Sequence, residues 1–294
     1  MKRIRQFFQY LLLAPLLKGL SRLPLGVLYA LSDVLFYGLY LWPGYRKEVV
    51  RKNLEIAFPN KSPLERKQTE KEFYRHFSDL LWEMLKTGRM SQAELQRRFR
   101  VRNPELLNEF FDRGKSVIIY GGHQGNWEWI FGLGDDIKHR KMAIYKPLSN
   151  PFINRWMLEA RSKFNYALVP TYETYDFIAS RESEGVPYAY GFLGDQNPLP
   201  HKAKLWLPFF GKEVPVLTGA EAVAKKHDIP VIFMEIRKIK RGFYEAVFSV
   251  ITDKPRQTAP FEITREYFRR LEESIRRQPS YYYWIHRRFK HARS

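Results

Sequence analysis

The 294 residues are 45% hydrophobic and 16% aromatic, which excludes a disordered chain and leaves ample core for one large domain or two small ones. Cysteine is absent, which excludes disulfides, a thiolate nucleophile and any cysteine-ligated metal. The net charge of +19 calls for an anionic partner: nucleic acid, an anionic membrane surface, or acidic substrates and carriers.

In chain order, Lys2, Arg3 and Arg5 precede the uncharged run from Gln6 to Leu17. Lys18 and Arg22 interrupt it, and a second run from Leu23 to Tyr45 carries one charge, Asp33. No small-residue cleavage site follows the first run, which argues against a signal peptide. The second run is long enough to span a bilayer, although Asp33 near its centre would cost about 2.5–3.5 kcal/mol. Residues 1–45 are therefore expected to form a hydrophobic membrane anchor, as one span or a shallow helical hairpin. Two buried globular helices are the alternative. Residues 46–294 are expected to form one catalytic domain.

The chain turns polar and helical at 46–57. A Pro-rich loop follows, and Ser62 then caps an amphipathic helix to about residue 86, with Phe73, Phe77, Leu80, Leu81 and Leu85 on its apolar side. Beyond further helical pieces to about residue 111, strand patterns at 116–120, 142–145, 167–170, 187–193, 230–236 and 243–250 alternate with helical patterns. The latter run over 126–137, 151–164, 173–180, 218–227 and 261–277. This alternation predicts an α/β fold, a layered domain with a mostly parallel central sheet flanked by helices.

One stretch stands out: Ile118-Ile119-Tyr120-Gly121-Gly122-His123-Gln124-Gly125-Asn126-Trp127-Glu128. It reads as strand, glycine turn, then helix. Within one helix, His123 and Glu128 would lie about 140° apart, so they meet only if the histidine precedes the helix and the glutamate sits in its first turn. Asn126 as N-cap satisfies that condition. A carboxylate beside an imidazole fixes one tautomer and stabilises the imidazolium, so His123 is expected to act as a general base on a hydroxyl with Glu128 orienting it. Gly121, Gly122 and Gly125 leave room for substrate. The bland alternative is a histidine that merely caps a turn.

Other blocks have weaker signals. Lys146 opens the segment before a helix that carries Arg155 and Arg161, either of which is placed to bind an anion; the alternative is a solvated helix face. Gly194-Asp195-Gln196 ends a strand, where ligands gather in open α/β sheets. Asp195 is expected there to position Arg161 or a basic substrate group, or else to make a plain Asx turn. The stretch Trp206–Gly211 reads as an acyl-chain slot, a lipid contact, or an ordinary core loop. The tail Tyr281-Tyr282-Tyr283-Trp284-Ile285-His286-Arg287-Arg288-Phe289-Lys290 mixes rings and cations, which suits phosphates at a membrane interface and also RNA. The serine-hydrolase elbow, zinc-protease helix, phosphate loop and dinucleotide fingerprint are all missing, and the seven histidines show no metal-ligand spacing.

Taken in order, several blocks resemble the lipid A biosynthesis acyltransferases, a branch of the lysophospholipid acyltransferase superfamily. They are the hydrophobic N-terminus, Arg51-Lys52-Asn53-Leu54 with Ala57-Phe58-Pro59, Gly122-His123-Gln124-Gly125-Asn126-Trp127-Glu128, Tyr145-Lys146-Pro147 with Asn150-Pro151, Gly194-Asp195-Gln196, Thr218-Gly219-Ala220, and the tail. The resemblance covers nearly the whole chain. It implies His123 and Glu128 as base and orienting acid, Arg161 and Asp195 as further catalytic residues, and no metal or cofactor. Gly122, Asn126, Lys146, Arg155, Gln196, Arg287 and Arg288 are the expected substrate-binding set. It also implies an acyl thioester donor on acyl carrier protein or coenzyme A, a membrane glycolipid acceptor, and a place on the cytoplasmic side of a bacterial inner membrane against anionic lipid. Rival readings are an acyltransferase of another aminolipid or phospholipid, a lipid hydrolase, and a basic membrane-associated RNA-binding protein; nucleic acid is not the expected partner.

Overall fold

The computed structural model describes residues 14–41 and 44–293. Lys2, Arg3, Arg5 and the first part of the run from Gln6 lie outside the described residues. Helix α1, Leu25–Leu41, buries Leu25, Leu28, Ser32, Phe36 and Tyr40, which recur every three or four residues along one side. That side packs on α3, Pro63–Thr87, after the short α2, Lys47–Ala57. The start of α3 is a capping box: Ser62 Oγ accepts from the Glu65 N–H while the Glu65 carboxylate accepts from the Ser62 N–H.

Asp33, the charge that a bilayer would penalise, pairs with Arg241, and Arg241 also grips Asp79 of α3. Among the described residues no helix is long and apolar enough to cross a membrane. A spanning anchor in the second hydrophobic run is therefore not supported, because one side of α1 is committed to a protein contact. Its other side leaves Val27, Val34, Tyr37 and Leu41 exposed.

After α4 (Gln92–Arg98), β1 (Phe99–Val101) and α5 (Glu105–Asp112), the chain builds a seven-stranded sheet in the order β1-β9-β8-β2-β5-β3-β4. Its remaining strands are β2 (Val117–Gly121), β3 (Arg140–Tyr145), β4 (Tyr166–Pro170), β5 (Tyr188–Leu193), β8 (Val231–Lys240) and β9 (Phe243–Thr252). Every neighbouring pair is parallel except the β8–β9 hairpin. Alternate side chains serve two cores, as the period of a strand requires. Ile118, Tyr120, Tyr190, Val231 and Phe233 point to a layer containing α3, α8 (Gly219–His227), α9 (Glu262–Arg277) and the tail. Val117, Ile119, Ala189, Ile232 and Met234 face the layer with Leu95, Phe110 and Trp129. The expected α/β architecture with a mostly parallel sheet is thus present.

Two segments differ from expectation. Residues Trp127–Asp136 form a 3₁₀ rather than an α-helix, broken at Gly134, whose φ is 46°. The stretch from Trp206 is an antiparallel hairpin of β6 (Trp206–Phe209) and β7 (Lys212–Pro215), closed by Phe210 and Gly211 with positive φ at both turn positions. Phe209 and Phe210 are buried among core residues, as an ordinary core element requires.

Candidate functional site

Strands β2 and β5 lie side by side, with Gly121 opposite Leu193. Both chains leave the sheet at their carboxyl ends there. His123 and Asp195 each stand two residues beyond that paired position, so the register delivers them as neighbours. His123 Nδ1 bonds Asp195 Oδ1 at 2.6 Å, and the His123 backbone N–H donates to Asp195 Oδ2 at 3.1 Å. An ionised carboxylate only accepts, so Nδ1 carries the proton and the Nε2 lone pair faces outward.

The orienting partner of His123 is therefore Asp195, not Glu128. Glu128 does sit in the first turn after Asn126, but its carboxylate binds Arg161. Asp195 does not position Arg161, which α6 (Pro151–Ser162) carries over to Glu128 instead. The result is two charge pairs at one mouth, with the Glu128 charge still felt at His123.

Burial alone would pull the His123 imidazole down, but the Asp195 charge, its hydrogen bond and the Glu128 charge together hold it above its ordinary 6.5. Burial opposes ionisation of Asp195, yet the His123 charge and hydrogen bonds from His123 leave it below its ordinary 3.8. The pair is thus set as imidazole and carboxylate, with an imidazolium stabilised once a proton arrives. The His123 side chain keeps 16% of its surface exposed, so a substrate can reach it. Trp127 and Tyr283 wall it on its apolar sides, with ring centroids 5.2 and 5.9 Å away.

The loop after β2 is held from three directions. Gly125 sits at φ +53°, which favours glycine, and its N–H donates to Tyr281 O at 2.8 Å. Its carbonyl accepts from His76 Nε2 at 3.0 Å; burial and the nearby Lys238 charge keep His76 neutral, well below its ordinary value. Asn126 is fully buried, and its amide donates to Glu83, which also accepts from Tyr29 and Tyr244. The Asn126 amide group is thus committed to holding the loop on α3. Burial raises the Glu83 carboxyl despite these donors and the Lys238 charge. Neither His76 nor Glu83 stood out in the sequence, because their partners are far away along the chain.

On the other loop, a Cβ at Gly194 would collide with the Tyr120 ring, and that ring is pinned by stacking on Tyr267 at 3.6 Å. Replacing Gly194 with Ala should lower stability by about 1–3 kcal/mol. It should also reduce turnover by displacing Asp195; thermal melts beside rate measurements check both.

The remaining expected residues divide. Gln196 reaches the site, its Nε2 donating to His123 Nε2 at 3.3 Å. The space beside Gly122 is taken by Leu271 and by the Asp195 carboxyl, so that glycine serves the pair itself. Lys146 is exposed just beyond β3. Arg155 is 83% exposed and pairs with Glu159 one turn along, and Arg161 is the residue brought to Glu128. Arg287 is exposed, but Arg288 is only 1% exposed, sandwiched by Phe209 and Phe268 and donating to Asn197 Oδ1 and Pro215 O. Trp284 and Phe289, expected as interfacial rings, are core residues.

Two open clefts of about 660 and 680 Å³ lie elsewhere, one along α9 and the other between the start of α3 and Tyr281. Neither is lined by His123. Chemistry and polarity, not cleft size, single out the mouth at the carboxyl end of β2.

Residues 3–291 match the family model of the bacterial lipid A biosynthesis acyltransferases. The chain is 25% identical over 251 residues to a lipid A biosynthesis palmitoleoyltransferase of Escherichia coli (strain K12), covering 83% of this chain and 79% of that protein. It is 24% identical over 282 residues to a lipid A biosynthesis lauroyltransferase of the same strain, covering 92% and 87%. A lipid A biosynthesis acyltransferase of Haemophilus influenzae is 24% identical over 255 residues, covering 83% and 78%.

Proposed function

The chain belongs to the bacterial lipid A biosynthesis acyltransferases, and from that premise we propose that it moves a fatty acyl chain from an acyl thioester, carried by acyl carrier protein, to a hydroxyl of a lipid A precursor. The His123–Asp195 bond of 2.6 Å is the observation that carries this reading. The acceptor hydroxyl displaces the Gln196 amide from Nε2 and gives its proton to His123 as its oxygen attacks the thioester carbonyl. Asp195 stabilises the imidazolium. Collapse of the tetrahedral intermediate expels the thiolate, which takes the proton back from His123.

The developing oxyanion needs donors. The N–H groups of His123, Gln124 and Gly125 already donate within the protein, to Asp195, Gly122 O and Tyr281 O. The glycine turn is thereby a poor oxyanion hole, and side-chain donors from Arg161 and Gln196 take that role in our reading. Glu128 then serves to orient Arg161.

The test is transfer from acyl-carrier thioester to a lipid A precursor, followed by mass spectrometry. Acylated lipid formed only when acceptor is present supports the proposal. Free fatty acid released equally without acceptor overturns it in favour of a hydrolase. Preference for a dephosphorylated acceptor would move the reading to another lipid.

With Arg288 buried, phosphate recognition by the tail falls to Arg287. Arg287→Ala should raise KM for a phosphorylated acceptor several-fold more than KM for the donor, as steady-state kinetics with each substrate varied would show.

The exposed side of α1 suits an in-plane interfacial contact on the cytoplasmic face of the inner membrane, where +19 of net charge meets anionic lipid. Val34 and Leu41 are 70% and 65% exposed. Replacing both with Asp should weaken co-flotation with anionic vesicles at high salt while leaving the melting temperature nearly unchanged, because neither supports the core.

A further inference from the structure

We propose that Asn197 is a positioning residue for the catalytic pair, and that the C-terminal segment 281–288 is a clasp which holds it and the His123 loop in one geometry. This rests on the assignment of His123 and Asp195 above.

Asn197 follows Asp195 by two residues, and three of its polar groups are bound by three consecutive residues of the tail. Its N–H donates to His286 Nε2 at 3.3 Å, its Nδ2 donates to Arg287 O at 3.0 Å, and its Oδ1 accepts from Arg288. The same segment holds the other half of the pair. The Tyr283 N–H donates to His123 O at 3.0 Å, Tyr281 O accepts from Gly125, and Gln124 bridges Tyr282. Residues 281–288 therefore bond both loops, beside α9, whose Ser274 Oγ donates to Gln124 Oε1 at 2.5 Å. They are anchored in turn from α2: the Asn53 amide donates to Trp284 O at 2.7 Å and to His286 O at 2.8 Å. Asn53 thus acquires a reason to stand in the Arg51-Lys52-Asn53-Leu54 block.

The protonation state fits. Burial brings His286 down to about 4, against the Asp195 charge and helped by those of Arg288, His123 and Arg46. A neutral ring keeps the Nε2 lone pair that the Asn197 N–H requires. Arg288 has two further buried N–H groups, Nε and Nη2, without partners among the described residues, so Asn197 Oδ1 and Pro215 O are its hydrogen-bond acceptors there, with Phe209 and Phe268 packed on its guanidinium.

The test reads geometry without needing turnover. The full chain with isotope-labelled histidine is titrated by NMR, and the His123 ring is followed in Asn197→Ala, His286→Ala and His286→Gln. None of these substitutions changes a charge at neutral pH, so a moved His123 titration reports a changed approach to Asp195. The expected result is a His123 pKa falling toward its ordinary value in Asn197→Ala and, by a smaller step, in His286→Ala. Substitution of His286 by Gln, which keeps an acceptor, restores it. In transfer assays kcat should fall roughly tenfold to a hundredfold with both KM values little changed. An unmoved His123 titration in folded Asn197→Ala overturns the clasp. Should Asn197→Ala fail to fold, an unmoved titration in His286→Ala has the same force. A moved titration in a protein that never shows transfer would leave the clasp standing and remove the proposed function.

Discussion

Purified His123→Ala should fold normally and lose acyl transfer by roughly 10²–10⁴-fold, the usual range for a positioned general base. The fold should survive because His123 lies in a loop with part of its ring exposed, and its loss leaves the core layers intact. Asp195 will be left without its imidazole, a buried carboxylate that retains the His123 backbone N–H. Its desolvation cost should appear as a modest drop in melting temperature. The measurement is initial rate with saturating donor and acceptor beside a thermal melt. Near-normal turnover in the variant would remove His123 from the mechanism altogether.

The pH profile provides a second check on the same residue. A base works only when neutral, so turnover should rise with pH through the folded-state pKa of His123. That value is held above 6.5, chiefly by Asp195 acting against burial, so the acid limb should lie on the alkaline side of 6.5. A limb below it would mean that the pair does not act as a unit.

How far the sequence reaches is visible in these two loops. The glycine turn, the strand before it and the place of His123 at that turn were all legible, because each depends on residues adjacent in the chain. The carboxylate that bonds His123 was not. Glu128 is five residues from His123 and Asp195 is seventy-two, yet the parallel register of β2 and β5 brings the distant one closer. Register is a property of two strands and cannot be read from either alone. The 3₁₀ form of Trp127–Asp136 likewise escaped, since its apolar pattern suits either helix type and the break at Gly134 is tertiary. The tail misled for another reason. Cations mixed with aromatic rings describe an interfacial patch and a buried cation–aromatic sandwich equally well, and Arg288 between Phe209 and Phe268 is the latter. Strand β1, three residues long, is too short to show any period.

Asp195→Asn should cost nearly as much as loss of the base, and more than Glu128→Gln. The amide that replaces the carboxylate can present its NH₂ group to Nδ1, which then turns acceptor and moves the ring proton to Nε2. The lone pair would face the protein interior and the substrate would meet a donor, so proton abstraction fails even with the ring in place. The loss should lie within roughly 10²–10⁴-fold in kcat, with KM little changed. Residual activity should show an acid limb moved to lower pH, because the charge that raises His123 is gone while burial, which lowers it, remains. Glu128→Gln should act differently. It removes a weaker, more distant charge from His123 and releases Arg161, so the acid limb moves less and the loss follows the oxyanion donor. Rates of the two variants across pH, measured with one substrate pair, separate these roles. A Glu128→Gln enzyme slower than Asp195→Asn, with the larger shift of its acid limb, would return the orienting role to Glu128.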